Sequence, residues 1–257
     1  MSTSSIPTTP TEKTPLTSVQ EDHAYQHSTK RESRSPCPAL NAMANHGYLP
    51  RDGRGIGMFQ MAYALREVYN LSLPLAFFLT IVGFILCAPW WPFHWTINLH
   101  DLSRHNQIEH NCSLCHADAK PGAEFAPWHV SFTLLHRLLG TTSSGYLNID
   151  SFVEARIQRA RDDPKPLCSV HREIAHGEAA LTMLVLGQRL AKDSPDEKLV
   201  VPYQFIQQWF GCSRLPEGWK KPEKEIGLFE AGWLSRNVKK AIEKRRAQLD
   251  RILEKSA

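Results

Sequence analysis

Between Val68 and His100 the chain has no Asp, Glu, Lys or Arg. Cysteine is sparse: six in 257 residues do not make the dense disulfide framework of a small secreted domain. Neither sign of charge prevails. Thirty Lys and Arg face 26 Asp and Glu, a net charge of +4, so charge gives no argument for a nucleic-acid partner. The N-terminus has no basic segment running into a short apolar one, so no secretory signal is expected. The compartment expected is intracellular and cytoplasmic, with thiols rather than disulfides. Strand-like alternation is scarce, and there is no internal repeat. With 42% hydrophobic and 22% charged residues, the composition is that of an ordinary globule, neither wholly disordered nor collagen-like. The unusual abundances are 12 His and 7 Trp, which supply ligands and flat apolar surface.

The first twenty residues hold 13 Ser, Thr or Pro and bury too little apolar surface to offset the entropy of ordering them. Residues 1–30 therefore read as a disordered tail and 31–257 as a single domain. The uncharged stretch centres on Leu71–Trp91, LSLPLAFFLTIVGFILCAPWW, which is long enough to span a bilayer with PWWPFHW at an interface. Pro74 and Pro89 trim the uninterrupted helix to about fifteen residues, and the flanks lack a strong Lys/Arg imbalance. A membrane span over 71–91 and a buried core helix both remain open on this pattern. Helical spacing also marks 149–161 and the Ala/Leu-rich 172–190. A C-terminal helix over about 230–255 carries Val238, Ile242, Leu249 and Leu253 on one stripe. Opposite them lie Lys239, Lys240, Lys244, Arg245, Arg246 and Arg251, read as a solvated face. Leu199–Val201 is the best strand candidate. The fold expected is mainly α.

The chemistry begins at Ser35-Pro36-Cys37-Pro38-Ala39-Leu40-Asn41. Pro38 suits a first helical turn, where its missing N–H has no partner to lose. Residues 39–46 are helix-compatible, and Gly47 suits the left-handed position after a helix. Cys37 then caps a short helix, facing unpaired N–H groups and the positive end of the dipole, both of which favour a thiolate. A buried neutral thiol before proline is the plainer alternative.

The run PCPALNAMANHGYLPRDGR closely resembles the proximal loop of the haem-thiolate peroxidases, the chloroperoxidase and unspecific peroxygenase family. The resemblance implies a single-domain helical haem-thiolate peroxidase fold in which Cys37 is the axial ligand of a haem b. Pro36 and Pro38 would flank the ligand, and the N–H groups of Ala39 and Leu40 would hydrogen-bond its sulfur and tune its electron donation.

A second cluster, Ile108-Glu109-His110-Asn111-Cys112-Ser113, continues into Leu114-Cys115-His116-Ala117-Asp118-Ala119. It is similar to the family's Glu-His-Asp-x-Ser stretch. By that resemblance the Glu109 carboxylate, the Ser113 hydroxyl and the His110 carbonyl bind a divalent cation. Hard oxygen donors of this kind suit Mg²⁺ or Mn²⁺. One position departs, because Asn111 stands where the family has Asp. Farther on, Glu178 opens an apolar helical run. Such a residue is either a first-turn Glu favoured by the dipole or a paired, desolvated one. The resemblance makes it the distal acid–base, oriented by His110, with Asp118 on the other imidazole nitrogen. Ile108 and Leu181 would line the substrate pocket.

Together these features imply an enzyme that uses hydrogen peroxide to hydroxylate, couple or halogenate a small organic substrate, in secondary metabolism. The resemblance assigns the uncharged run to a core helix and disfavours membrane association. Two other classes compete with this reading. Cys112-x-x-Cys115-His116 matches the attachment motif of a c-type haem electron carrier, and a membrane-anchored, non-catalytic relative is the other. Cys112, Cys115 and His105 or His116 are also candidate zinc ligands. Cys87, Cys168 and Cys212 read as ordinary buried thiols.

Overall fold

The structure is a computed structural model that describes residues 23–88, 95–163, 165–190 and 198–256. Most of the expected tail, 1–22, and the aromatic segment 89–94 lie outside these. Residues 23–30, expected in the tail, are packed onto the domain. His23 stacks on Tyr48 with ring centroids 3.8 Å apart, and the Gln26 N–H donates to the Asn45 carbonyl at 2.9 Å.

The described residues are mainly α, as expected. The helices are α1 (Pro38–Asn45), α2 (Met58–Tyr69), α3 (Leu73–Cys87), α4 (Phe132–Leu139), α5 (Ile149–Asp162), α6 (Ser169–Leu186), α7 (Tyr203–Cys212) and α8 (Leu228–Ser256). A short 3₁₀ turn covers Leu99–Ser103. Strands β1 (Ile56–Gly57) and β2 (Thr96–Ile97) pair antiparallel, and β3 (Tyr146–Leu147), β4 (Gln188–Leu190) and β5 (Lys198–Pro202) form a small antiparallel sheet in the order β3-β5-β4. The expected strand 199–201 is the centre of β5, with Leu147 opposite Val201 and Arg189 opposite Leu199.

Local chemistry sets the ends of the helices. Ser72 caps α3 by accepting the Leu75 N–H at 3.3 Å, and Pro74 occupies the first turn, where proline is tolerated. α3 is 15 residues long, about 22 Å at helical rise, short of the roughly 30 Å hydrocarbon core. Among the described residues no helix is long and apolar enough to cross a membrane. The helix expected over 172–190 ends instead at Leu186, because Gly187 turns extended there. A Cβ at Gly187 would lie 2.1 Å from the Met183 carbonyl. The last residues of the expected helix become β4.

α8 lies against α6 and α5, α2 against α3, and α4 against α7. Leu234, Val238 and Ile242 of α8 are buried, but Leu253 is 66% exposed. The C-terminal stripe therefore outlasts the helices it packs on. One continuous core runs from Met43 and Ala44 of α1 through Tyr69, Phe152, Met183 and Ile206. It places the N-terminus of α1, the 105–118 loop and the middle of α6 around one interior.

Candidate active site

The proximal side is built mostly from hydrogen bonds between residues close in sequence, with the Arg34 guanidinium at their centre. Cys37 caps α1, with Pro38 as the first helical residue. The Asn41 side chain folds back on the approach: its Nδ2 donates to the Ser35 carbonyl at 2.7 Å and its Oδ1 accepts the Ser35 N–H at 2.9 Å. Arg34 is 2% exposed. It donates to Asn45 Oδ1 (2.6 Å), the Ser33 carbonyl (2.7 Å), the Arg51 carbonyl (2.9 Å) and Glu32 (2.9 Å). Gly53 closes the loop at φ +68°, and a Cβ there would lie 2.1 Å from the Ser33 carbonyl. Only glycine both adopts that dihedral readily and fits. The Tyr69 hydroxyl of α2 donates to the Ala39 carbonyl at 2.9 Å, fixing the first turn from outside. Asn41 and Asn45 were readable as polar residues one turn apart in an otherwise apolar helix; Arg34, just before the motif, gave no such signal.

Backbone N–H groups of Leu40 and Ala39 point at the Cys37 sulfur and lower its pKa, but burial outweighs them. With a further push from the Glu178 charge, the thiol is held up at about 11. Of the two readings of the helix start, the buried neutral thiol is the one this pKa favours: in the protein by itself desolvation outweighs the helix terminus.

The distal side is assembled from charges far apart in sequence. His110 Nε2 lies 3.5 Å from Glu178 Oε2, an ion-pair distance. Burial disfavours the imidazolium, but the Glu178 charge and the Asn111 carbonyl outweigh it and raise the His110 pKa. Enclosure likewise pushes the Glu178 carboxyl up, and His110, then Arg156 and His116, bring it below the usual carboxylate range. The Glu178 side chain is 46% exposed. Cys37 is partly buried. A sulfur that accepts two N–H groups, within the field of an ionised carboxylate, is a donor that fits a haem iron.

Asp118 does not serve His110. The His110 Nδ1 meets the Asn111 carbonyl at 2.6 Å, whereas Asp118 Oδ1 accepts the Cys112 N–H at 2.7 Å and Arg159 Nη2 at 2.6 Å. The cause is the left-handed backbone at Cys112, φ +62°, which turns the loop so that Asp118 faces α5. The expected cation ligands have protein partners. Glu109 Oε2 is 2.7 Å from His105 Nδ1, and Ser113 Oγ accepts the His116 N–H at 3.2 Å. Ile108 and Leu181 are partly buried against the core, Leu181 one turn after Glu178 on α6. His171, two turns before Glu178, has its ring centroid 5.7 Å from that of His110. No sequence signal marked it.

The c-type haem and zinc readings fare poorly. Cys112 and Cys115 are 2% and 0% exposed and His116 is 8% exposed, so no open surface is left for a covalently attached haem. Among the described residues, the acidic and thiol groups that converge are Cys112, Asp118 and Asp163, not Cys115 with a histidine. Cys87 is buried as expected, but Cys168 and Cys212 are exposed, since both stand at helix ends facing outward.

The family described as "Peroxidase, family 2" matches residues 23–224 of the chain. Three curated relatives are similar over shorter stretches. The dothistromin biosynthesis peroxidase of Dothistroma septosporum is 43% identical over 68 residues, 26% of this chain and 16% of that protein. The chloroperoxidase of Leptoxyphium fumago is 33% identical over 99 residues, 35% of this chain and 25% of that protein. The aromatic peroxygenase of Coprinellus radians is 37% identical over 65 residues, 25% of this chain and 24% of that protein. The similar stretches thus span a quarter or less of each relative's length.

Proposed function

The chain belongs to peroxidase family 2, and from that premise we propose that it is a haem-thiolate enzyme using hydrogen peroxide to oxidise a small organic substrate. The observation that carries this reading is the pairing of a partly buried Cys37, capped by two N–H groups, with an open Glu178, held by His110, whose charge acts on the sulfur. Haem b, when bound, would be held through the Cys37 sulfur and would supply an iron for peroxide-driven two-electron oxidation. Pro36, Pro38, Ala39 and Leu40 form the platform, and the N–H groups of Ala39 and Leu40 set how strongly the sulfur donates.

Glu178 Oε2 accepts the proton from one peroxide oxygen and returns it to the other. His110 holds the carboxylate ionised and fixed for the first of these transfers. Ile108 and Leu181 shape an aliphatic wall for the substrate. Glu109, Ser113 and the His110 carbonyl would hold Mg²⁺ or Mn²⁺, which would require Glu109 to release His105; the neutral Asn111 would weaken that site. Substrate oxidation comprises hydroxylation, coupling or halogenation. The similarity to a peroxidase named for dothistromin biosynthesis supports a role in secondary metabolism.

The test is Glu178→Gln. It is expected to slow peroxide turnover by about 10²- to 10⁴-fold while leaving haem content intact. Unchanged turnover would remove Glu178 from this role.

A further inference from the structure

Two arginines enter the interior from one face of α5. Arg156 and Arg159, three residues apart, are each 6% exposed. Like charges one turn apart in the interior are unfavourable unless fixed acceptors meet them. Arg159 has such acceptors: Asp118 at 2.6 Å, Asp162 at 2.9 Å and the Ser113 carbonyl at 2.9 Å. Arg156 Nη1 donates to the preceding carbonyl, that of Cys112. Among the described residues no carboxylate lies within ion-pair distance of Arg156, and the opposite charge it feels most is Glu178. The two side chains thus seize consecutive peptide carbonyls of the turn in which Cys112 is left-handed, a conformation a non-glycine residue keeps only when its surroundings hold it. His110 stands two residues before that turn. α5 is itself backed by α8, through Arg245 and Glu154 at 3.3 Å.

We propose that Arg156 is a positioning residue for the distal pair: by gripping the Cys112 carbonyl it holds the turn that keeps His110 Nε2 aimed at Glu178. This rests on the acid–base role given to Glu178 above. Arg159 anchors the far side of the same loop to Asp118, and Arg156 fixes the side next to the histidine. Removing the guanidinium frees the Cys112 carbonyl, lets the turn relax and draws the imidazole away from the carboxylate.

The test uses the full-length, haem-loaded chain with Arg156→Gln and Arg156→Lys. Two quantities are read: amide hydrogen exchange across 110–118, and the rate constant for reaction with hydrogen peroxide. Arg156→Gln is expected to speed exchange at the Cys112 amide by about tenfold or more and to lower the peroxide rate constant by about tenfold or more. Exchange in α1 and the thiolate signature of the reduced carbon monoxide complex stay unchanged. Arg156→Lys restores part of both losses, and if Arg156→Gln does not fold, the lysine variant alone is expected to fall between wild type and loss. Exchange and rate both within about twofold of wild type, or a change in one without the other, would overturn the proposal. If the wild-type protein itself lacks the thiolate signature, the functional reading fails, and the exchange measurement still decides whether Arg156 holds the turn.

Discussion

The two sides of the interior are held together by different physics. The proximal loop, 33–53, is closed chiefly by contacts short in sequence: the Asn41 amide clamp, the Arg34 fan onto carbonyls, Asn45 and Glu32, and the Gly53 turn. The distal side draws His110 and Asp118 from one loop, Arg156 and Arg159 from α5, and Glu178 from α6, joined by charge. The division suits the proposed chemistry. A metal ligand has to stay fixed, and its cradle is bound mainly by amide, guanidinium and backbone groups. A proton-handling site needs groups whose charges change and influence one another.

The largest expected effect probes the proximal side. Arg34→Met leaves the Ser33 and Arg51 carbonyls and Asn45 Oδ1 without their buried donor. It should cost about 3–5 kcal/mol of folding stability, read as a lower urea midpoint. Because Arg34 does not titrate in the accessible range, the loss should be nearly equal at pH 7 and pH 5; a strongly pH-dependent loss would break the contrast.

The second effect belongs to the distal side. Burial lowers the His116 pKa to about 4, against partial opposition from Glu178 and a Trp128 backbone bond. A histidine whose folded pKa lies below its unfolded value favours the neutral form. Its contribution is full above about pH 6.5 and is lost as pH falls toward 4. Between pH 7 and pH 5 the protein should lose about 2 kcal/mol through this group, and His116→Phe should remove that part of the slope. Equal slopes in the two proteins would show that His116 is not kept neutral by the fold.

The smallest effect sharpens the proximal account. Tyr69→Phe removes the donor to the buried Ala39 carbonyl and should cost about 1 kcal/mol, again without pH dependence between 5 and 7.

The same contrast explains what could be read from the sequence. The proximal side was legible in part because its parts are contiguous: Cys37, Pro38 and Gly47 lie within one stretch and each states its backbone demand, whereas the Asn41 clamp, the Arg34 fan and the Gly53 turn show only in the structure. The mainly helical fold, α5 and the centre of β5 followed from local periodicity and short apolar runs. The distal side was legible in its components only. Helical periodicity alone gives no reason to bury Arg156 and Arg159, since, Asp162 aside, their acceptors lie more than forty residues away in the 112–118 loop. Asp118 was assigned to His110 through the family resemblance, whereas its carboxylate meets Arg159 and the N–H of the left-handed Cys112. The helix terminus at Cys37, a local effect, leaves thiolate and buried thiol both open, and desolvation, which depends on the whole fold, decides between them.

The central claim is that the Cys37 sulfur binds haem iron. The most direct measurement is the absorption spectrum of the reduced carbon monoxide complex, in the wild-type protein and in Cys37→His. A red-shifted Soret band in the wild type that disappears in Cys37→His is the predicted result. A band that survives the substitution, or a wild-type spectrum of nitrogen-ligated iron, would contradict the account.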